Sequence, residues 1–190
     1  MIDPALLSGT IKISLLLLIQ YASGCLVYYK GVQVNYTRKI NHFALFFIPL
    51  FIDNILPIQP SIELMIIGSF VAVSGLIIYI KPIRSNSRLV QRMFLSFDRP
   101  EDRPNTLLWL STQIIVGYLI LVPIIIYFFS IGYSNLILIP ILVNAIGDGL
   151  AEPVGIRFGR LKYKTYALFS KKNTKEQLKE VHVCFLQVSL

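Results

Sequence analysis

The stretch with the highest density of reactive side chains runs from Gly147 to Arg160 and reads GDGLAEPVGIRFGR. It combines two carboxylates, Asp148 and Glu152, with four glycines and two arginines at the end of an apolar segment. Charged groups beside a membrane-spanning run are costly, and they commonly mark a functional site. The composition predicts a place where a soluble, phosphorylated reactant meets a lipid.

The spacing within this stretch predicts one shared face. If residues 148–159 are helical, the two carboxylates stand one turn apart, and two glycines continue the same face at intervals of three and four. Two carboxylates can hold a hard cation such as Mg²⁺ and leave positions open for phosphate oxygens. Nearby arginines can grip phosphate with two parallel hydrogen bonds. The expected metal ligands and catalytic residues are Asp148 and Glu152, and the expected phosphate-binding residues are Gly155, Arg157, Gly159, Arg160 and Lys162.

A structural role is the alternative for this stretch. A helix end with small residues for packing, followed by basic residues that stop a span on the cytoplasmic side, accounts for the Lys and Arg residues. It does not account for Asp148 and Glu152, so the pattern favours the functional interpretation. Pro153 weakens the assumption of a regular helix and could bend the segment.

Two further polar segments precede this one. Arg38, Lys39 and His42 open an apolar run; they could bind phosphate, or they could be topology anchors, and their spacing alone favours neither. Residues 98–104 read DRPEDRP, a stiff loop that could present Asp98 or Asp102 to a metal or to a hydroxyl proton. From composition alone, a solvated loop that neutralises its own charges is the favoured interpretation of this third segment.

The elements that must position these residues are membrane spans. The chain has 190 residues, 55% of them hydrophobic, and the apolar residues come in runs rather than alternating. A helix needs about 20 apolar residues to cross a bilayer. We therefore expect an all-α, multi-pass transmembrane bundle of about five spans, followed by a truncated sixth. The expected spans are residues 11–29, 43–58, 62–80, 107–129 and 132–147.

Charge placement predicts the topology of these spans. Apart from Lys12, the Lys and Arg residues fall in three loops, at 30–42, 81–106 and 148–180, whereas residues 53–61 and 130–135 contain none. By the positive-inside rule the basic loops face the cytoplasm and the N-terminus lies outside. The net charge of +8 is then a property of the cytoplasmic surface beside anionic lipid, and nucleic acid is not an expected partner. The sequence also lacks a phosphate-binding loop ending in Gly-Lys-Ser/Thr and a paired-His zinc helix.

The three polar segments, in this order, resemble the membrane lipid-alcohol kinases, which include phytol kinase, dolichol kinase and the CTP-dependent diacylglycerol kinases and are related to phosphatidate cytidylyltransferases. Arg38-Lys39-Ile40-Asn41-His42 is similar to a basic-basic-x-x-His pattern of that superfamily. The loop from Asp98 to Pro104, followed by Thr106 to Trp109, resembles its bacterial polyprenol and phytol kinase-like branch. The run from Gly147 to Gly159 matches its Gly-Asp-Gly-x-Ala-acid-x-x-Gly-x-x-Phe-Gly pattern and is the most specific of the three.

The resemblance implies phosphoryl transfer from a nucleoside triphosphate, typically CTP, to the hydroxyl of a long-chain lipid alcohol in the bilayer. It implies Mg²⁺ on Asp148 and Glu152, and charge neutralisation by Arg38, Lys39, Arg157 and Arg160. It implies that one of Asp98, Glu101 or Asp102 orients or deprotonates the hydroxyl. Its motifs add Gly147 and Gly149 to the nucleotide-binding candidates and again include His42.

The resemblance weakens towards the C-terminus. Such kinases continue with a Lys/Arg-Ser/Thr-x-Glu-Gly-Ser stretch and a further span, whereas here Lys179-Glu180 is followed by Val181-His182 and about ten apolar residues. We therefore expect a truncated or diverged end. Two alternatives follow: cytidylyl transfer to phosphatidate, which uses the same ingredients, and an inactive membrane relative.

Overall fold

The computed structural model describes residues 3–58, 61–158, 165–166 and 173–174, and almost all of this part of the chain is helical. Three 3₁₀ turns, Gly75–Tyr79, Pro100–Asp102 and Ser134–Ile137, connect longer elements. The α-helices are α1 (Pro4–Lys30), α2 (Val34–Ile55), α3 (Ile62–Ser74), α4 (Lys81–Asn86), α5 (Arg88–Leu95), α6 (Thr106–Ser130) and α7 (Leu138–Phe158).

The chain divides into two compact units, Met1–Pro140 and Ile141–Leu190. The first contains α1 to α6, and the second contains most of α7. The second unit also contains two short antiparallel strands, β1 (Thr165–Tyr166) and β2 (Asn173–Thr174). The expectation of an all-helical chain is thus confirmed for the described residues, apart from these four.

Helices α1 and α2 form a hairpin. The Asp3 side chain caps the first turn of α1, and Pro4 supplies a backbone φ already suited to a helix start. The helix ends at Gly31, whose φ of 63° lies in the left-handed region that glycine adopts at helix ends. Towards the other end of the hairpin, Lys12 of α1 forms an ion pair with Asp53 of α2. The Asp53 side chain is 49% exposed.

Helix α5 packs against α1 at a glycine. A Cβ atom added at Gly24 would lie 1.8 Å from the carbonyl oxygen of Arg92 and 2.6 Å from its carbonyl carbon. Those atoms belong to backbone, which cannot swing aside as a flexible side chain would. Only a residue without a side chain allows the two helices to approach this closely.

An aromatic core lies beside this contact. Its buried members come from the 3₁₀ turn after α3, from α5 and from the residues that follow α5; they are Tyr79, Met93, Phe94 and Phe97. The Tyr79 and Phe97 rings meet edge to face with their centroids 5.3 Å apart, an arrangement that aromatic quadrupoles favour. The core therefore anchors the segment that leads into residues 98–104, which are called the acidic loop below.

Four helical stretches are long and apolar enough to cross a membrane, among the described residues. Large apolar side chains on them face outward: Phe70 is 74% exposed and Leu119 is 68% exposed. A soluble monomer rarely exposes such a continuous apolar surface, whereas lipid would cover it. The chain is therefore compatible with an integral membrane protein. The four stretches are Pro4–Lys30, Ile62–Tyr79, Thr106–Ser130 and Ser134–Ala151.

Helix α2 does not belong to this set. It has 22 residues, enough for about 33 Å at 1.5 Å per residue, but it contains Arg38, Lys39 and Asp53. The prediction of a fifth span at residues 43–58, and with it the outward N-terminus, stays a prediction.

The structure corrects the predicted loops. Residues 34–42 form the first turns of α2 and not a loop. The prediction missed them because a hydropathy profile reads charged residues at a helix end as a connection. Residues 81–86 and 88–95 form α4 and α5. The prediction missed these helices for the same reason, since basic residues alternate there with apolar ones and lower the average hydropathy. Helix α7 continues through Pro153 to Phe158, so residues 148–158 of the predicted loop at 148–180 are helical.

The close contact between α1 and α5 makes a testable prediction. Gly24→Ala should lower the free energy of unfolding by about 1–3 kcal/mol, the usual cost of forcing extra volume into a packed site. Thermal unfolding of the purified protein in detergent would measure this loss. Gly9→Ala in the same helix is the matched control, because a Cβ atom added at Gly9 meets nothing within 4 Å. Equal melting temperatures for the two variants would contradict the contact.

Candidate functional site

The basic segment lies on the first turns of α2. The Arg38 side chain is 17% exposed, and Lys39 is buried. The His42 ring packs edge-on against Phe46, with centroids 5.0 Å apart, and against Phe43. The segment is thus mostly enclosed, which is more than a plain topology anchor in water would require.

Hydroxyl and amide groups fasten this segment to the end of α5. The Thr37 hydroxyl donates to the backbone carbonyl of Ser96 at 2.9 Å, and the Asn41 amide donates to the Ser96 hydroxyl at 2.7 Å. Ser96 in turn donates to the carbonyl oxygen of Met93 at 2.7 Å. Thr37 and Ser96 are fully buried, where a hydrogen bond is needed to offset the loss of water.

Sequence reasoning missed the role of these residues. Thr37 and Asn41 lie four residues apart, so they share a face of α2, and this spacing is the signal that could have identified them. Their partner Ser96 sits 55 residues beyond Asn41, and neither charge nor periodicity marks it.

The acidic loop holds itself together by ion pairs. Asp102 accepts two hydrogen bonds from Arg99, from Nε at 2.8 Å and from Nη2 at 3.2 Å. Asp98 accepts from Nε of Arg103 at 2.9 Å and from the Thr106 hydroxyl at 2.7 Å. Arg99 and Arg103 therefore neutralise Asp102 and Asp98, and all four oxygens of these two carboxylates accept hydrogen bonds. The composition favoured a self-neutralising loop, but it also favoured a solvated one, and these two carboxylates are mostly buried.

Arg38 joins the basic segment to the acidic loop. Its Nη1 atom lies 3.8 Å from Oδ2 of Asp102, and its Nη2 atom donates to Oε1 of Gln113 at 2.7 Å. One side chain of α2 thus contacts both the 3₁₀ turn Pro100–Asp102 and α6. Two of the three predicted polar segments meet here, although they lie about 60 residues apart in sequence.

A carboxylate shared by two arginines can orient both guanidinium groups. Asp102 is in contact with Arg38 and Arg99, and the side chains of all three are between 14% and 20% exposed. Guanidinium groups held at fixed angles suit the planar, two-bonded recognition of phosphate. The cluster formed by Arg38, Arg99 and Asp102 is called the arginine cluster below.

The polar segment that begins at Gly147 lies on α7 as far as Phe158. Asp148 is exposed, whereas its neighbours Gly147 and Gly149 are buried, as is Gly155. The helix places positions 148 and 152 one turn apart, about 6 Å along the axis. The helix that the predicted shared face requires is thus present at positions 148, 152 and 155.

Several predicted residues lie outside this description. Only the backbone of Glu152 and Arg157 is described, and Gly159, Arg160 and Lys162 lie outside the described residues. Over the side chains that the structure describes, no three His, Cys, Asp or Glu residues converge as a metal-binding group. The Mg²⁺ site on Asp148 and Glu152 stays a prediction.

No protein-family model, no curated protein and no solved structure matches this chain. The likeness to lipid-alcohol kinases therefore depends on the three sequence segments themselves.

The shared carboxylate makes a second prediction. Asp102→Asn keeps the shape of the side chain but removes the charge between two arginines, so the free energy of unfolding should fall by about 1–3 kcal/mol. Denaturation of the detergent-solubilised protein would measure the loss. Glu101→Gln removes a charge from an exposed position in the same turn and should change stability by less than about 0.5 kcal/mol. Similar losses in the two variants would show that Asp102 contributes no specific ion pair.

Proposed function

We propose that the protein is a lipid-alcohol kinase of the membrane. It would move the γ-phosphate of a nucleoside triphosphate, CTP by resemblance, to the hydroxyl of phytol, a polyprenol or dolichol, or diacylglycerol. The observation that carries the proposal is the contact between Arg38 and Asp102. It brings together two segments that resemble the kinases, and it provides oriented cations of the kind that phosphate requires.

The transfer itself needs little covalent chemistry from the protein. The lipid hydroxyl oxygen forms a bond to the γ-phosphorus, the bond from that phosphorus to the bridging oxygen breaks, and the nucleoside diphosphate leaves. The hydroxyl proton passes to a carboxylate or to water. Negative charge spreads over the phosphoryl oxygens, so the protein contributes chiefly by positioning and electrostatic stabilisation. The proposed sources of positive charge are Arg38 and Lys39 on α2, Arg157 on α7, and Arg160, which lies outside the described residues.

The donor types on α7 fit a magnesium ion. Mg²⁺ prefers carboxylate oxygens and keeps several positions for water or phosphate, so two carboxylates one turn apart suffice. When bound, it would neutralise the triphosphate. Asp148 and Glu152 are the proposed ligands.

The described contacts suggest a positioning role for the loop carboxylates. Asp98 is engaged by Arg103 and Thr106, and Asp102 is engaged by Arg99. Proton acceptance by either carboxylate would require one of these contacts to open. We therefore propose that both hold the loop and the arginine cluster in place during transfer.

The proposed sidedness follows from the distribution of basic residues. The Lys and Arg residues of segments 30–42, 81–106 and 148–180 would face the cytoplasm, where the nucleotide is found. The lipid hydroxyl would reach the same side at the membrane surface.

The deciding experiment supplies γ-labelled CTP, and in parallel ATP, to the purified full chain in detergent with Mg²⁺ and a panel of the candidate lipids. Label should enter one lipid, and Asp148→Asn should reduce the rate by about 100-fold or more, since it removes charge stabilisation at the reacting phosphate. Glu63→Gln, which changes a carboxylate at the start of α3, is the matched control and should retain the rate.

Each other outcome has a distinct meaning. Release of pyrophosphate in place of nucleoside diphosphate would establish cytidylyl transfer. Full activity of Asp148→Asn would exclude Asp148 as a metal ligand. Absence of label in every lipid, from protein that unfolds cooperatively, would identify an inactive relative.

A further inference from the structure

Helices α4 and α5 carry a basic surface that the proposed reaction does not use. It is formed by Lys81, Arg84, Arg88 and Arg92, and it is called the α4–α5 basic surface below. The sequence has no Asp or Glu between Glu63 and Asp98, so no acidic residue of this stretch offsets these charges. A concentration of positive charge of this kind favours an anionic partner.

Two cations of this surface, Lys81 and Arg88, are exposed, and the other two, Arg84 and Arg92, are half-buried. On α5, Met93 and Phe94 are buried in the aromatic core, whereas Arg88 is exposed. Positions 88 and 92 share a face one turn apart, and this face is opposite the buried one. Lys81 and Arg84 are spaced by three residues on α4, and Lys81 is exposed as well.

Aromatic rings hold two of the guanidinium groups. Cζ of Arg84 lies 3.9 Å above the centre of the Phe94 ring. Cζ of Arg92 lies 5.1 Å from the centre of the Tyr28 ring and 5.2 Å from that of Tyr29. These are cation–π distances, so the charges occupy defined positions and lose less entropy when a ligand binds.

The surface lies near the end of a candidate span. Helix α1 is 27 residues and about 40 Å long, which exceeds the hydrocarbon thickness of about 30 Å. Gly24, where α5 touches α1, is about 9 Å along the axis from Lys30 at the helix end. Tyr28 and Tyr29, both about 60% exposed, belong to the residue type enriched at membrane interfaces. Helix α5 therefore crosses α1 within about 9 Å of the end that Tyr28 and Tyr29 would place at the membrane interface.

Apolar side chains beside the cations support the same location. Ile83 is 40% exposed and Leu89 is 54% exposed, and each lies next to a basic residue of its own helix. Apolar groups that enter the acyl boundary beside cations at the headgroup level are typical of interfacial helices.

We propose that the α4–α5 basic surface binds the headgroup of an anionic phospholipid. The phosphate would lie against Lys81 and Arg88, between the guanidinium groups held by the rings, while Ile83 and Leu89 contact the upper acyl chain. Charge complementarity and the depth of α5 both favour this occupant over a soluble anion. The proposal does not depend on the proposed kinase activity.

The test uses the purified full chain in detergent, titrated with phosphatidylglycerol or with zwitterionic phosphatidylcholine, and counts bound lipids by native mass spectrometry. The wild type should retain phosphatidylglycerol selectively, and less of it at high salt. Lys81→Gln combined with Arg88→Gln should weaken this binding by about 25-fold, because each basic residue near an anionic surface contributes about 1 kcal/mol, or about fivefold. These two positions are exposed, so the thermal midpoint without added lipid should not change.

Lys30→Gln is the matched control. Lys30 is an exposed cation at the end of α1 outside the α4–α5 basic surface, so its loss should weaken phosphatidylglycerol binding by no more than about fivefold, the contribution of one cation near an anionic surface, and so by less than the loss in the double variant. The proposal is overturned if the double variant binds as the wild type does, if Lys30→Gln weakens binding equally, or if phosphatidylcholine binds as tightly. A soluble glycerophosphate that displaces the lipid at equal concentration would also contradict it, because the site would then recognise phosphate alone.

Discussion

Gly24 is where the backbone of α1 touches the backbone of α5, and the positions of several polar groups depend on that contact. Because α5 can approach so closely, its apolar face fills the aromatic core and its end carries Ser96 to α2. Ser96 then fastens α2 through Thr37 and Asn41. The same stretch of α2 carries Arg38, which reaches Asp102. A chain of short contacts thus leads from one glycine to the arginine cluster.

Two ion pairs among the described residues lie towards helix ends or in a polar loop. Lys12 and Asp53 pair towards the ends of α1 and α2, and Asp98 and Arg103 pair in the loop before α6. An unpaired charge facing hydrocarbon would cost several kcal/mol, so a membrane protein gains from pairing each charge that approaches the boundary. The self-neutralising loop can therefore pack against helix ends that a loop of one sign would destabilise.

The sequence predicted the long apolar helices well, because length and composition determine them directly. It placed the start of α2 nine residues too late and read α4 and α5 as loop, since charged residues on a helix lower a hydropathy average. It predicts that residues 37–42 and 98–104 share one membrane side, which stays a prediction, but it could not pair Arg38 with Asp102. The sequence could not predict the contacts of Gly24 and Ser96, since uncharged groups far apart in sequence leave no periodic signal.

The arrangement of the loop carboxylates bears on how a lipid hydroxyl could react. In phosphoryl transfer with a loose transition state, bond formation to the hydroxyl oxygen lags behind departure of the leaving group, so the hydroxyl proton is lost late. A strong general base is then less valuable than accurate placement of the phosphate. Asp102, which engages Arg99 with two hydrogen bonds and contacts Arg38, meets that need without accepting a proton. A carboxylate that orients cations is therefore as consistent with lipid-alcohol phosphorylation as one that deprotonates the substrate.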